Sequence, residues 1–279
     1  MAATPDLSMR LLRALFDEWH QPTTEPEGVT YRDDTVGGVP GIWCLPVGAD
    51  TSRVLLYTHG GGFAVGSSSS HRKLAGHVAK TLGCTSFVLD YRRAPEYRHP
   101  AQIEDGLAVF DALVATGIAP ENITTIGDSA GGNLAVAIAL ALKDQRRPLP
   151  GRVIAFSPWL DMENASETLV SNRNTDALIT HELLEGMIAS VLGNRVDPKN
   201  LLANPLYADF TDFPRLYITA GSVEALLDNA TRLAERAKAA GVDVTLSVAE
   251  GQQHVYQFLA GRSAVAAQEL DKLAHWYHA

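Results

Sequence analysis

Cysteine is nearly missing from this sequence: Cys44 and Cys84 are the only two among 279 residues. They form no C-x-x-C pair, which excludes a dithiol redox motif and a zinc knuckle. Two lone thiols predict small buried residues in a reducing compartment. Long apolar runs are missing too. The longest, Leu134–Leu142, has nine residues, too short to span a bilayer. The opening stretch MAATPDLSMRLLRALFDEWH places Arg10, Arg13, Asp17 and Glu18 where a signal peptide would need unbroken apolar residues. Basic residues are in deficit, 23 Lys and Arg against 32 Asp and Glu, for a net charge of −9. An acidic surface repels phosphate backbones and anionic lipid, so neither nucleic acid nor a membrane is an expected partner. Together these absences predict a cytoplasmic protein. With 46% hydrophobic and 20% charged residues, a disordered chain is excluded.

What is present alternates. Extended, β-rich runs fall at Val29–Val36, Gly41–Pro46, Val54–His59, Thr85–Asp90, Ile123–Gly127, Val153–Phe156, Arg215–Ala220 and Val242–Ala249. Helical patterns separate most of them, near 71–82, 101–116, 129–143, 180–192, 228–240 and 263–277. Strand and helix alternating over this length predict one domain, residues 1–279, of the α/β class: a mostly parallel eight-stranded sheet with helices on both faces. Gly37-Gly38 reads as a hairpin turn that makes the first two strands antiparallel. Ahead of the first strand, Thr4 and Pro5 open a helix with Leu7, Leu11, Leu12, Leu15, Phe16 and Trp19 at helical spacing. Residues 161–209 break the alternation, with one helix opened by Thr180. Inserted helical material of this kind forms lids, so residues 1–25 and 161–209 are expected to make a small helical cap. Ser67–Ser70, the one low-complexity stretch, is too short to be a linker.

The strongest local signal is Gly127-Asp128-Ser129-Ala130-Gly131, between a strand and an apolar helix. This is the strand–turn–helix context of a G-x-S-x-G nucleophile elbow, in which glycines allow a tight turn and the serine is strained with its hydroxyl exposed. Chance alone gives roughly 0.1 matches in a chain of this composition. The plainer explanation is a Gly-rich helix start. The second signal is His59-Gly60-Gly61-Gly62-Phe63, directly after a strand, for which chance gives roughly 0.005 matches. Consecutive glycines leave N–H groups unshielded, free to aim at a developing oxyanion. A phosphate-cradling loop fails on detail, because Val65 stands where G-x-G-x-x-G needs its third glycine and no Gly-Lys-Ser/Thr follows. His59 itself reads as a ring that pins the loop.

A serine nucleophile needs a base, and the base an orienting acid. In α/β-hydrolases these follow in the order Ser, Asp/Glu, His at the ends of later strands. His254, His275 and His278 lie in the last third of the chain. The latter two fall in the terminal helix, whereas His254 follows the final strand, where the base belongs. After the strand Arg215–Ala220, Glu224 and Asp228 compete for the acid. An N-cap of the helix Asn229–Ala240 explains Asp228. Glu224 has no such duty and is the preferred acid. Metal and cofactor signals are poor: there is no H-E-x-x-H, and His71 and His77 have no carboxylate between them. No cofactor is expected.

Taken together, His59–Phe63, Tyr91-Arg92-Arg93-Ala94-Pro95-Glu96, Gly127–Gly132 and His254 resemble, in order and spacing over nearly the whole chain, the bacterial hormone-sensitive-lipase-like esterases of the α/β-hydrolase superfamily. The resemblance implies the α/β-hydrolase fold with a helical cap, a catalytic triad of Ser129, Glu224 and His254, and an oxyanion hole from the N–H groups of Gly60, Gly61 and Ala130. Glutamate stands where the family usually has aspartate. Many members dimerise, so a homodimer is implied. The stretch Gly221–Asp228 with Gly241–Thr245 is similar to monoterpene ε-lactone hydrolases. The Tyr91–Glu96 block reads as scaffold, with Pro95 fixing a turn and Arg92, Arg93 and Glu96 pairing to brace the elbow.

The expected function is therefore carboxylic ester hydrolysis of small-to-medium apolar substrates through an acyl-enzyme on Ser129. Within the class, the rival is opening of a medium-ring lactone; an amidase is also compatible. Outside it, the rival is a small-molecule receptor on the same fold, which would be expected to lack a triad member. Phe16, Trp19, Phe63, Trp159 and the 180–192 helix are candidates to line the pocket, each equally explained by core packing.

Overall fold

A computed structural model describes residues 5–279 of the chain. Thr4, expected to cap the first helix, lies outside the described residues. Helix α1 (Pro5–Asp17) is followed by a β-hairpin of β1 (Val29–Val36) and β2 (Val39–Pro46), then β3 (Asp50–Thr58) and α2 (Ser68–Leu82). Next come β4 (Cys84–Leu89), α3 (Ala101–Ala115), β5 (Ile123–Asp128), α4 (Ala130–Asp144) and β6 (Arg152–Phe156). After α5 (Glu167–Ser171) and α6 (His181–Leu192) the chain closes with β7 (Arg215–Gly221), α7 (Leu227–Ala239), β8 (Val244–Ala249) and α8 (Ala264–His278). The eight strands form one sheet in the order β1-β2-β4-β3-β5-β6-β7-β8. β1 and β4 both pair with β2 antiparallel, and every other pairing is parallel. The hairpin at Gly37-Gly38 is as expected.

β4 and β5 are buried along their whole length. Both are covered on their two faces, with Thr85, Ser86, Thr124 and Thr125 buried among their apolar residues. Along β3 the side chains alternate: Val54 and Leu56 pack beneath α3 and α4, while Leu55 and Tyr57 pack beneath α2 and α8. A third cluster joins α4 to α7 over β6 and β7. Helices thus cover both faces, with the strands' C-terminal ends at one edge.

Several boundaries shift for local reasons. β3 starts four residues early because Asp50 pairs with Cys84, which its polar sequence did not suggest. β8 starts at Val244, since Val242 N–H closes the end of α7 on Ala237 O. The serine run is not idle: Ser67 caps α2 in a reciprocal box with Ser70. Thr180 caps α6 as expected, accepting from Leu183 N–H. Among the described residues no helix is long and apolar enough to cross a membrane.

Candidate active site

The loops that follow β3, β5, β6, β7 and β8 converge at the C-terminal edge of the sheet, where open α/β sheets hold their ligands. Ser129 stands between β5 and α4 with φ 54° and ψ −123°, a region closed to most non-glycine residues. Two backbone bonds hold it there: Ser129 N–H donates to Phe156 O at 2.9 Å, and its carbonyl accepts from Trp159 N–H at 3.0 Å. The flanking glycines are required by contact. A Cβ on Gly127 would meet Gly131 O and Thr58 O, and one on Gly131 would meet Thr58 O.

His254 is 8% exposed and Glu224 fully buried. Their rings and carboxylates face each other, with His254 Nδ1 and Glu224 Oε1 3.5 Å apart. The other oxygen, Oε2, accepts from Ser157 Oγ at 2.7 Å and from Gly221 N–H at 2.8 Å. Ser157 Oγ in turn accepts from Val255 N–H at 3.0 Å, so one hydroxyl ties the acid to the residue after the histidine. Burial pulls the His254 pKa down; the hydrogen bond and charge of Glu224, helped by Asp176 and Asp128, outweigh it and hold the ring above its ordinary value.

The rejected carboxylate does something else. Asp228 is not an N-cap, because α7 begins at Leu227 and the cap position is Leu226. Its carboxylate instead accepts from Ser166 Oγ and from Glu167 N–H, the latter at 2.8 Å, and so ties α5 to α7. His275 and His278 are exposed on α8.

Of the expected oxyanion donors, Gly60 needs correction. Its N–H donates to His71 Nε2 at 3.2 Å and is already used. Gly61 and Gly62, by contrast, line the cavity that Ser129 and His254 also line. Among the described residues neither N–H finds an acceptor in the protein. Ala130 is the first residue of α4, where N–H groups have no partner within the helix.

That cavity measures about 180 Å³. Leu12, Phe16 and Trp19 reach it from α1 and its continuation, Leu183, Leu184 and Met187 from α6, and Trp159 and Phe258 from below. Phe63 is core instead, packed between Tyr91 and Trp159. Leu11 and Leu15, 61% and 64% exposed, face away. Arg13 fastens α1 in place: it donates to Ala64 O and Ala94 O and forks onto both oxygens of Glu96, at 2.8 and 2.7 Å. The Tyr91–Glu96 arginines do not pair with Glu96 as expected. Arg92 binds Asp105 and Glu104, and Arg93 binds Gly66 O.

Sequence reasoning missed the strut over the two loops. Asn172 donates to Glu224 O, Thr175 Oγ1 donates to Val223 O, and Asp176 accepts from Ala225 N–H at 2.6 Å. Gln253, beside the histidine, accepts from Ala177 N–H and donates to Thr175 O. Ser157 had one signal, its place directly after a strand end.

Residues 55–258 match the family model described as alpha/beta hydrolase fold. The chain is 37% identical to an acetyl-hydrolase of Streptomyces hygroscopicus, over 88% of this chain and 75% of that one. It is 32% identical to an esterase of Acinetobacter venetianus, over 97% and 89%. The crystal structure of an esterase from the bacterial hormone-sensitive lipase family superposes with a TM-score of 0.94 at 38% identity, covering 99% of this chain and 93% of that one. The strained serine at the head of α4, the glycine loop beside it and these likenesses along the chain make this protein a member of the α/β-hydrolase family, within its bacterial hormone-sensitive-lipase-like esterases.

Proposed function

We propose that this carboxylic ester hydrolase works by acyl transfer to Ser129, with His254 as base and Glu224 as its orienting acid. The observation that carries the reading is the meeting of a strained elbow serine and a Glu224-paired histidine on the wall of one cavity. His254 Nδ1–H faces Glu224, which leaves Nε2 to take the serine proton as Oγ attacks the ester carbonyl. The imidazolium so formed is stabilised by the buried carboxylate and returns the proton to the leaving alcohol. Water then repeats the sequence on the acyl-enzyme. The N–H groups of Gly61, Gly62 and Ala130 are the donors for the tetrahedral oxyanion.

α1 and α6 serve as the cap. Their apolar side chains roof a cavity of about 180 Å³, below the roughly 300–1,000 Å³ of drug-sized sites. This favours neutral, apolar esters of short to medium acyl length.

Ser129→Ala should lose about 10⁴–10⁶ in turnover on p-nitrophenyl butyrate while keeping its fold. An organophosphate should label Ser129 alone in the native enzyme. Activity of the variant within tenfold of the native protein would sink the assignment.

A further inference from the structure

We infer that His71 is a positioning residue for this reaction: its Nε2 accepts the Gly60 N–H and so sets where the next two N–H groups, those of Gly61 and Gly62, are held. The inference rests on the reading of that glycine pair as oxyanion donors.

His71 lies in the first turn of α2 and is 1% exposed. Gly60 N–H donates to Nε2 at 3.2 Å, so that nitrogen carries the lone pair and the ring proton sits on Nδ1. Nδ1 has a matching acceptor. Ser70 Oγ is 2.8 Å away and passes its own proton to Ser67 O at 2.9 Å. A chain of bonds therefore runs from the capping box of α2, through one tautomer of His71, to the glycine loop.

The loop needs such an anchor. Gly60, Gly61 and Gly62 have no side chains to pack, and three adjacent glycines are the most freely rotating stretch a chain can contain. Its other ties lie on either side of the Gly60 N–H. Tyr91 Oη donates to His59 O, His59 Nδ1 bonds Gly60 O at 2.7 Å, and Gly61 O accepts from Ala64 and Val65 N–H. Only His71 holds the N–H of the peptide linking His59 to Gly60. The same ring lies beside the residue that precedes the nucleophile. Nε2 is 3.3 Å from Oδ2 of Asp128, the residue before Ser129, and Asp128 Oδ1 accepts from Tyr57 Oη at 2.9 Å. His71 thus stands at the joint between the elbow and the oxyanion loop without lending a proton to either.

The test compares two amides. Asparagine places its polar atoms near the position of Nδ1, and glutamine near that of Nε2. His71→Asn keeps the link to Ser70 and loses the Gly60 acceptor; His71→Gln keeps the acceptor. On a butyryl ester, His71→Asn should lower kcat by about 10–100-fold with KM changed less than about threefold, the pattern for an interaction made in the transition state. Affinity for a trifluoromethyl ketone, whose adduct on the serine bears an oxyanion, should fall in parallel. His71→Gln should return both to within about fivefold of the native enzyme. Equal losses in the two variants, a loss confined to KM, or unchanged affinity for the ketone in His71→Asn would overturn the inference. So would losses that simply follow the melting temperature. If instead the native enzyme fails to hydrolyse the ester or is not labelled at Ser129, it is the reading of the site that falls.

Discussion

At the scale of single residues, the proposed mechanism makes the pH dependence follow from His254. The ring must be neutral to take a proton, and its pKa is held above 6.5 because Glu224 outweighs the effect of burial. Turnover should therefore rise with pH through a limb displaced above 6.5 and level off beyond it. Glu224→Gln removes the largest raising influence, so the limb should move down while kcat drops by orders of magnitude. A pH–rate series on native and variant enzyme checks both signs; a limb that stays put would detach Glu224 from the histidine. The places of Ser129 and His254 at one cavity could be read in the chain because the first sits in a motif whose glycines answer to backbone crowding, and the second follows the last strand. Glu224 was separable from Asp228 only by elimination, and the stated duty of Asp228 was wrong: an N-cap is local, whereas its real partners, Ser166 and Glu167, lie about sixty residues away. That the Gly60 N–H is occupied was not legible, because nothing in a run of identical glycines marks which N–H is bound by His71.

At the scale of elements, among the described residues seven strands run one way and only β2 against them. The mostly parallel sheet and its antiparallel first hairpin were legible from alternation and one glycine pair, whereas the strand order was not expected in the chain. The strut from Asn172 to Ile179 was not legible, since a polar stretch without periodicity looks the same whether solvated or bonded. Its bonds cross from the segment before α6 to the loops that carry Glu224 and His254. Asp176 carries the most of it, accepting from Ala225, Leu178 and Ile179 N–H, and its charge also helps raise His254. Asp176→Asn should lower kcat about tenfold by loosening the Glu224 loop. It should also shift the acid limb downward, which loss of packing alone would not do. A limb unchanged in position would assign Asp176 to scaffolding only.

At the scale of the whole molecule, size of cavity and sign of charge should set the substrate range. A net charge of −9 disfavours anionic esters on approach, an effect that salt screens. A roofed cavity should favour a butyryl over a palmitoyl ester in kcat/KM; the reverse order would defeat the enclosed-pocket argument, and a seven-membered lactone assayed alongside tests ring opening. The roof is not uniformly anchored. The floor is held by buried hydrogen bonds, whereas part of the anchorage of α1, beside Arg13's bonds to Ala64 O and Ala94 O, is an ion pair to Glu96, whose side chain is half exposed. Ion pairs open to water weaken in salt. The ionic medium thereby becomes a dial on discrimination: as salt rises, α1 should ride more loosely over the cavity, so longer chains gain ground on butyrate while the rate on butyrate itself, set by the floor, holds steady.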